Sequence, residues 1–86
     1  MTRKQRVALS ARSQRVLTKL RDEGPYDRAI TPELASVAGG TVRSLYDALV
    51  TLRGRYLVRW DQGGANLRIT QRGRDLLNAP YYRGRV

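Results

Sequence analysis

The sequence lacks both cysteine and histidine in all of its 86 residues. Without cysteine there is no thiol nucleophile, no disulfide bond and no thiolate ligand for zinc. Without histidine the commonest general base and metal ligand is missing as well. Few enzyme mechanisms remain possible after both absences. We therefore expect a protein that is not an enzyme and that binds no metal, no other cofactor and no small-molecule ligand.

Acidic residues are also scarce, because Asp and Glu number 7 against 17 Lys and Arg, which gives a formal net charge of +10. A chain with this excess repels itself and attracts polyanions, so nucleic acid is the leading candidate partner. Most of the basic residues are arginine, a bias that GC-rich coding can also produce. The net charge therefore indicates nucleic-acid binding only if the fold places the basic residues on a common surface.

Long apolar runs are missing too. No run approaches the roughly 18 residues that span a bilayer, and the Val-Ala-Leu after the charged N-terminus is too short for the core of a signal peptide. We expect a cytoplasmic, nucleoid-associated protein with no membrane partner. The length allows one small domain, which we place at 10–78 between a basic arm at 1–9 and a tail at 79–86.

The most informative segment is 31–53, which predicts two capped helices joined by a tight turn. Thr31 can cap the first helix and Pro32 suits its first position, where a missing N–H costs nothing. Gly39-Gly40 then interrupts the helix, and Thr41 can cap the next one. Two short helices around a glycine turn are typical of a helix-turn-helix that reads DNA.

The second of these helices has a clear apolar periodicity. Spacings of three, four and three residues predict one buried face formed by Val42, Leu45, Leu49 and Leu52. The opposite face is polar. The other predicted elements are a helix from about Ser10 or Ser13 to Glu23, an extended segment at 26–31, a β-hairpin with flanks at 56–60 and 67–70 joined through Asp61–Asn66, and a helix at 71–78 capped by Thr70.

This order of elements resembles the winged helix-turn-helix fold, an α+β fold that is mainly α, with a three-helix core, a β-hairpin wing and a short C-terminal helix. Several positions are also similar to the pattern of MarR/PadR-type regulators: Leu34-Ala35, Thr41-Val42, Leu49, Leu52, Leu57-Val58-Arg59, Ile69-Thr70 and Gly73. Tyr56 departs from that pattern, because the family usually has glycine there. The resemblance implies a small transcriptional regulator that binds duplex DNA. Because one reading helix covers only a few base pairs, we also expect a homodimer.

The outward face of helix 41–53 contains our candidates for base contacts, which are Arg43, Ser44, Asp47 and Thr51. Arg43 is the best of them, since its guanidinium can donate two hydrogen bonds to guanine O6 and N7. Asp47 would be repelled by the duplex unless it accepts from a cytosine amine or pairs with Arg43 one turn away, and we favour the pairing.

A second set of residues is predicted to contact phosphates or to form the wing: Thr31, Thr41, Tyr46, Arg53, Arg55, Arg59, Gly63, Gly64, Asn66 and Arg68, with Arg3, Lys4 and Arg6 in the N-terminal arm. We expect Tyr46 to flank the core, with its hydroxyl reaching water or a phosphate. We expect Trp60 to anchor the core rather than stack on a base. Helix one and the tail residues Tyr81 and Tyr82 are the expected dimer contacts.

Two other classes of function remain open. The same fold can serve as an architectural, recombination or replication accessory protein of phage or plasmid type, which coats or bends DNA without reading it. It can also be a protein-interaction or RNA-binding module. Salt dependence of duplex binding and the sequence preference of an Arg43 variant would distinguish these classes from a regulator.

Overall fold

The computed structural model describes residues 9–78, which form an α+β arrangement that is mainly helical with one three-stranded antiparallel sheet. The predicted arm residues Arg3, Lys4 and Arg6 and the tail residues Tyr81 and Tyr82 lie outside the described part. The elements are α1 Ala11–Glu23, β1 Tyr26–Arg28, α2 Pro32–Val37, α3 Val42–Gly54, β2 Val58–Asp61, a single 3-10 turn Gln62–Gly64, β3 Ala65–Ile69 and α4 Gln71–Asn78.

Each of the four helices begins at a hydroxyl side chain. The hydroxyl oxygen accepts a hydrogen bond of 3.0 to 3.2 Å from the backbone N–H three residues further on, at Ser10, Thr31, Thr41 and Thr70. Such caps satisfy one of the N–H groups that a helix start leaves without a partner. The predicted caps at Thr31, Thr41 and Thr70 are therefore confirmed, and Ser10 fixes the start of α1.

The sheet has the strand order β1-β3-β2, with β3 in the centre. Tyr26 of β1 pairs with Leu67, and Val58 of β2 pairs with Ile69. The predicted extended segment thus supplies a pairing strand, although the strand ends at Arg28. The predicted hairpin is confirmed with a shorter link than expected, because β2 continues to Asp61 and β3 already begins at Ala65.

The core lies between α1, α3 and the inner face of the sheet, with α2 and α4 closing it at the sides. Its largest fully buried side chains are Val16, Leu17, Leu20, Leu34, Leu45, Leu49, Leu52, Val58 and Leu67. Burial of this apolar surface is the main term that favours folding of so small a domain. Among residues 9–78 no helix is long and apolar enough to cross a membrane.

The predicted burial of Val42 is wrong, since this side chain is 58% exposed. The buried face of α3 consists of Leu45, Ala48, Leu49 and Leu52. At 3.6 residues per turn Val42 lies about 70° from the centre of that face, at its edge. The small Ala48 takes the core position instead, which leaves Val42 on the surface at the first turn of α3.

Candidate nucleic-acid interface

The glycine turn between α2 and α3 positions the start of α3. Gly39 and Gly40 adopt positive φ angles of 118° and 99°, which residues with a Cβ rarely reach. The Gly40 N–H donates a 2.7 Å hydrogen bond to the Ala35 carbonyl and so closes the C-terminal turn of α2. The predicted helix, glycine turn and second helix are therefore present.

The polar face of α3 is open to solvent and contains three of the four predicted base contacts. Arg43 is 86% exposed in its side chain, and its Nε lies 3.5 Å from Asp47 Oδ1. Thr51 is exposed on the same helix, whereas Ser44 is only half-exposed. The favoured pairing of Arg43 with Asp47 is present. Because exposed ion pairs contribute little to stability, a better acceptor can replace Asp47 at small cost.

Two hydroxyls at the start of α3 bind each other. Thr41 Oγ1 accepts from the Ser44 N–H and donates to Ser44 Oγ at 3.0 Å. The backbone N–H groups of this first turn and the positive end of the helix dipole lie beside them and favour an anion. Thr31 has its equivalent role at α2, where its hydroxyl caps the helix. The structure thus uses both threonines primarily as caps.

A shallow groove of about 250 Å³ separates the start of α1 from the polar face of α3. Asp47 and Thr51 line it from α3, and Arg12 and Arg55 lie at its margins. The Arg55 carbonyl also accepts from Arg72 Nε at 3.1 Å, which ties the end of α3 to α4. Sequence reasoning missed Arg12, because only packing of α1 against α3 brings it to the same groove as Asp47.

Tyr46 does not flank the core. Its side chain is on the exposed side of α3 and the residue is 55% exposed, so that part of the prediction is wrong. Tyr46 and Val50 are four residues apart and form a second, apolar strip on α3 next to the polar one. A helical wheel centred on Leu45 and Leu49 places both residues outside the buried arc, so helix geometry alone could have indicated that Tyr46 is exposed.

This strip forms one wall of an aromatic cleft of about 410 Å³ between α3 and the start of the hairpin. The residues that line the cleft are Tyr46, Val50, Arg53, Gly54, Tyr56 and Trp60. The guanidinium of Arg53 lies 4.7 Å from the centroid of the Trp60 ring in a cation–π contact. Trp60 is half-buried and packs against the core, in agreement with its predicted role as an anchor.

Tyr56 differs from the other residues of the cleft in its backbone conformation and in the exposure of its side chain. Its φ is +64°, a region uncommon for residues other than glycine, and the residue is 74% exposed. The hydrogen bonds that end α3 explain this φ. The Leu57 N–H donates to the Leu52 carbonyl at 3.0 Å and the Tyr56 N–H donates to the Arg53 carbonyl at 2.9 Å, a pattern that places the residue after the helix in the left-handed conformation. Sequence reasoning noted the tyrosine at a usual glycine position without connecting it to a cleft.

The hairpin presents one exposed cation and one neutralised cation. Asp61 accepts from Asn66 Nδ2 at 2.8 Å and from Arg68 Nη2 at 3.5 Å. The hydrogen bond from Asn66, together with the charge of Arg68, lowers the pKa of Asp61. Arg59, the cross-strand partner of Arg68, remains exposed. Of the predicted wing contacts, Arg59 is therefore available, while Asn66 and Arg68 are engaged within the hairpin.

The tip of the hairpin is tied to the rest of the domain. The Ala29 N–H, just after β1, donates a 2.7 Å hydrogen bond to the Gly64 carbonyl. A Cβ at Gly64 would lie 3.6 Å from Ala29 Cβ, whereas Gly63 faces open space. The short link thus holds the tip beside β1, and only Gly63 of the two predicted tip glycines is fully exposed.

Most of the acidic side chains in the described part have partners. Lys19 lies 2.9 Å from Glu23 and 3.3 Å from Glu33, and the Tyr26 hydroxyl donates to Glu33 at 3.2 Å. The hydrogen bond to Glu23 raises the pKa of Lys19, and the hydrogen bond from Lys19 lowers the pKa of Glu33. These pairs at the end of α1 and the start of α2 use only one of the basic residues, so the positive excess remains elsewhere on the surface.

Comparison of the chain with protein-family models, with curated proteins and with solved structures returned no match. Residues 9–78 contain no cluster of acidic side chains that could hold a metal ion.

Proposed function

We propose that this protein is a winged helix-turn-helix DNA-binding protein that acts as a small transcriptional regulator. The observation that carries the proposal is the open polar face of α3, which presents Arg43 after a capped, glycine-closed turn in a chain of net charge +10. The element order and the β1-β3-β2 sheet are compatible with that fold. An α-helix fits the major groove of B-form DNA, so α3 is the reading element.

Arg43 is the proposed base contact. On binding it exchanges the 3.5 Å contact with Asp47 for two hydrogen bonds to guanine O6 and N7. Asp47 then faces the neighbouring base pair, where a cytosine amine is the donor that suits it. Thr41 and the first turn of α3 lie where a phosphate oxygen would bind, which orients the helix without specifying sequence.

The hairpin has a more limited role in this proposal than a freely projecting wing. Because its tip is bonded to Ala29, it presents Arg59 to the sugar-phosphate backbone and does not enter the minor groove deeply. A single α3 covers only a few base pairs, so we propose that two copies bind two half-sites as a homodimer. Sedimentation of the protein with and without its selected duplex tests that stoichiometry.

Selection of bound fragments from a random duplex pool, followed by variants of two arginines, tests the reading role. Arg43→Ala is expected to relax base preference at one position by about 1–3 kcal/mol, whereas Arg59→Ala weakens all duplexes alike. Arg74→Ala, an exposed arginine on α4, removes the same charge outside the interface and serves as control. If the pool yields no consensus and Arg43→Ala and Arg59→Ala weaken every duplex equally while Arg74→Ala does not, the protein is an architectural DNA binder and not a regulator.

A further inference from the structure

We propose that the aromatic cleft binds an unpaired nucleotide, with its base stacked on the tyrosine rings and its phosphate at Arg53. The cleft is the largest group of exposed aromatic surface in the described part of the chain, and it contains three of its four aromatic residues, Tyr46, Tyr56 and Trp60. Base–aromatic stacking tolerates any base, because every base has a π-face. This activity goes beyond reading of duplex DNA by Arg43.

The charges at the cleft favour an anionic ligand. Arg53 is the one charged side chain among the residues that line it, and no carboxylate lines it. Because the guanidinium lies over the Trp60 ring, it continues the aromatic surface and keeps its charge at the rim. An aromatic surface with a cation at its edge matches the two chemical parts of a nucleotide, a planar base and a phosphate.

Tyr56 also supplies a ring at a position where the backbone favours glycine. Its positive φ belongs to the turn that ends α3, in which the Leu57 N–H donates to the Leu52 carbonyl at 3.0 Å. Glycine would adopt the same backbone without strain but would supply no ring. The mostly exposed ring of Tyr56 is therefore available for stacking on a base.

A second copy of the chain is a poorer occupant of the cleft. A symmetric contact between two clefts would bring two Arg53 side chains together without an intervening carboxylate. A nucleotide removes this difficulty, because it supplies the negative charge.

Trp60 provides the measurement, since it is the only tryptophan of the chain and lies inside the cleft. Titration with oligothymidylate is expected to quench its fluorescence, and a duplex with one extrahelical thymine is expected to do the same. A fully paired blunt duplex of equal length should change the emission much less, because it offers no unpaired base to the cleft. Quenching by oligothymidylate alone would restrict the ligand to a single strand, and quenching by the bulged duplex alone would restrict it to a base displaced out of a duplex.

Four variants separate stacking from folding. Tyr56→Gly and Tyr46→Leu should each weaken oligothymidylate binding about tenfold, because each removes one stacking ring. Tyr46→Phe keeps a ring and should bind like the parent. Ile30→Ala truncates an exposed apolar side chain outside the cleft and should also bind like the parent. Tyr56→Gly suits the native φ, so loss of binding in this variant does not result from loss of the fold.

Three results would overturn the proposal. One is oligothymidylate binding that does not change Trp60 emission or that the ring-removing variants leave intact. Another is quenching by the blunt duplex alone. The third is emission that depends on protein concentration without nucleic acid, which would assign the cleft to a second copy. The Arg43→Ala comparison on duplex DNA stays a separate readout, so failure of one proposal is distinguishable from failure of the other.

Discussion

Asp61 shows how single side chains set the electrostatics of the hairpin. Asn66 donates to this carboxylate from a backbone at φ +56°, a conformation that asparagine tolerates better than most residues. Arg68 donates to the same carboxylate and to the Asn66 carbonyl. This cluster leaves Arg59 as the exposed cation of the hairpin, so the charge available for a phosphate is determined by three neighbours.

The lowered pKa of Asp61 makes a prediction about pH. A carboxyl whose pKa is lower in the folded state stabilises the fold above its unfolded pKa of about 3.9, and the stabilisation is lost as pH falls through the folded pKa. Asn66→Gly keeps the positive φ and removes the amide donor. We expect the Asp61 pKa to rise toward its ordinary value in a carbon-detected NMR titration.

Arg68→Gln is the matched comparison for that titration. The hydrogen bond from Asn66 is the largest single cause of the shift, and Arg68 acts through two others, its charge and its own hydrogen bond. Arg68→Gln should therefore also raise the Asp61 pKa. A larger rise in Arg68→Gln than in Asn66→Gly would show that the arginine dominates at this site, and no rise in either variant would contradict the described cluster.

At the scale of elements, α4 lies very close to the sheet at Gly73. A Cβ built at Gly73 would lie 2.5 Å from the Leu57 carbonyl oxygen and 2.7 Å from Ile69 Cγ1. The backbone oxygen cannot move away without disturbing the start of β2, where it also accepts from the Thr70 N–H. Glycine is therefore required for α4 to lie against the sheet.

Two glycine-to-alanine variants test this packing. Gly73→Ala is expected to lower the free energy of unfolding by about 1–3 kcal/mol through overpacking. Gly54→Ala places the same methyl group at the end of α3, where no atom lies within 4 Å, and should raise it by about 0.5–1 kcal/mol. Urea unfolding followed by circular dichroism measures both, and a stable Gly73→Ala variant would contradict the described contact.

The elements themselves were largely predictable, because their determinants are local. Hydroxyl caps, the Gly39-Gly40 turn and the periodicity of Leu45, Leu49 and Leu52 all act within a few residues of where they stand. The errors concern tertiary contacts. The surface position of Val42 depends on which arc of α3 faces α1, and the tied hairpin tip depends on Ala29, far away in sequence.

The features of the candidate site also separate into those that local rules predict and those that only tertiary packing produces. The outward position of Arg43 and its pairing with Asp47 follow from helix geometry, so the sequence predicted both. The aromatic cleft requires α3 and the hairpin to meet at a specific angle, which brings Tyr46 next to Trp60. Local sequence rules do not determine the packing angle between α3 and the hairpin. The sequence therefore did not predict that these residues line one cleft.

For the molecule as a whole, attraction of a charged partner depends more on which basic side chains are unpaired than on the net charge alone. Glu23 and Glu33 share Lys19, and Asp61 binds Arg68, so acidic groups are neutralised by near neighbours. The positive excess is then free to act on a partner at long range.

Salt dependence tests this description. The logarithm of the duplex binding constant should fall linearly with the logarithm of salt concentration, by about 0.9 for each phosphate that a cation neutralises. Arg59→Gln should reduce the slope by about one phosphate equivalent, and Lys19→Gln should leave it unchanged, since Lys19 is already paired. A slope near zero for the parent protein would exclude binding driven by phosphate contacts.

The surface position of the aromatic cleft affects which substitutions this domain can tolerate. Tyr46, Val50 and Tyr56 all lie on the surface, and the buried leucines that hold the helices together are elsewhere in the chain. Mutations at Tyr46 and Val50 can therefore accumulate with little penalty in foldability, whereas the positive φ of Tyr56 favours glycine and asparagine at that position. A combinatorial library randomised there would sample new ligand preferences on an unchanged scaffold, which makes this small basic domain a practical starting point for directed evolution of binders.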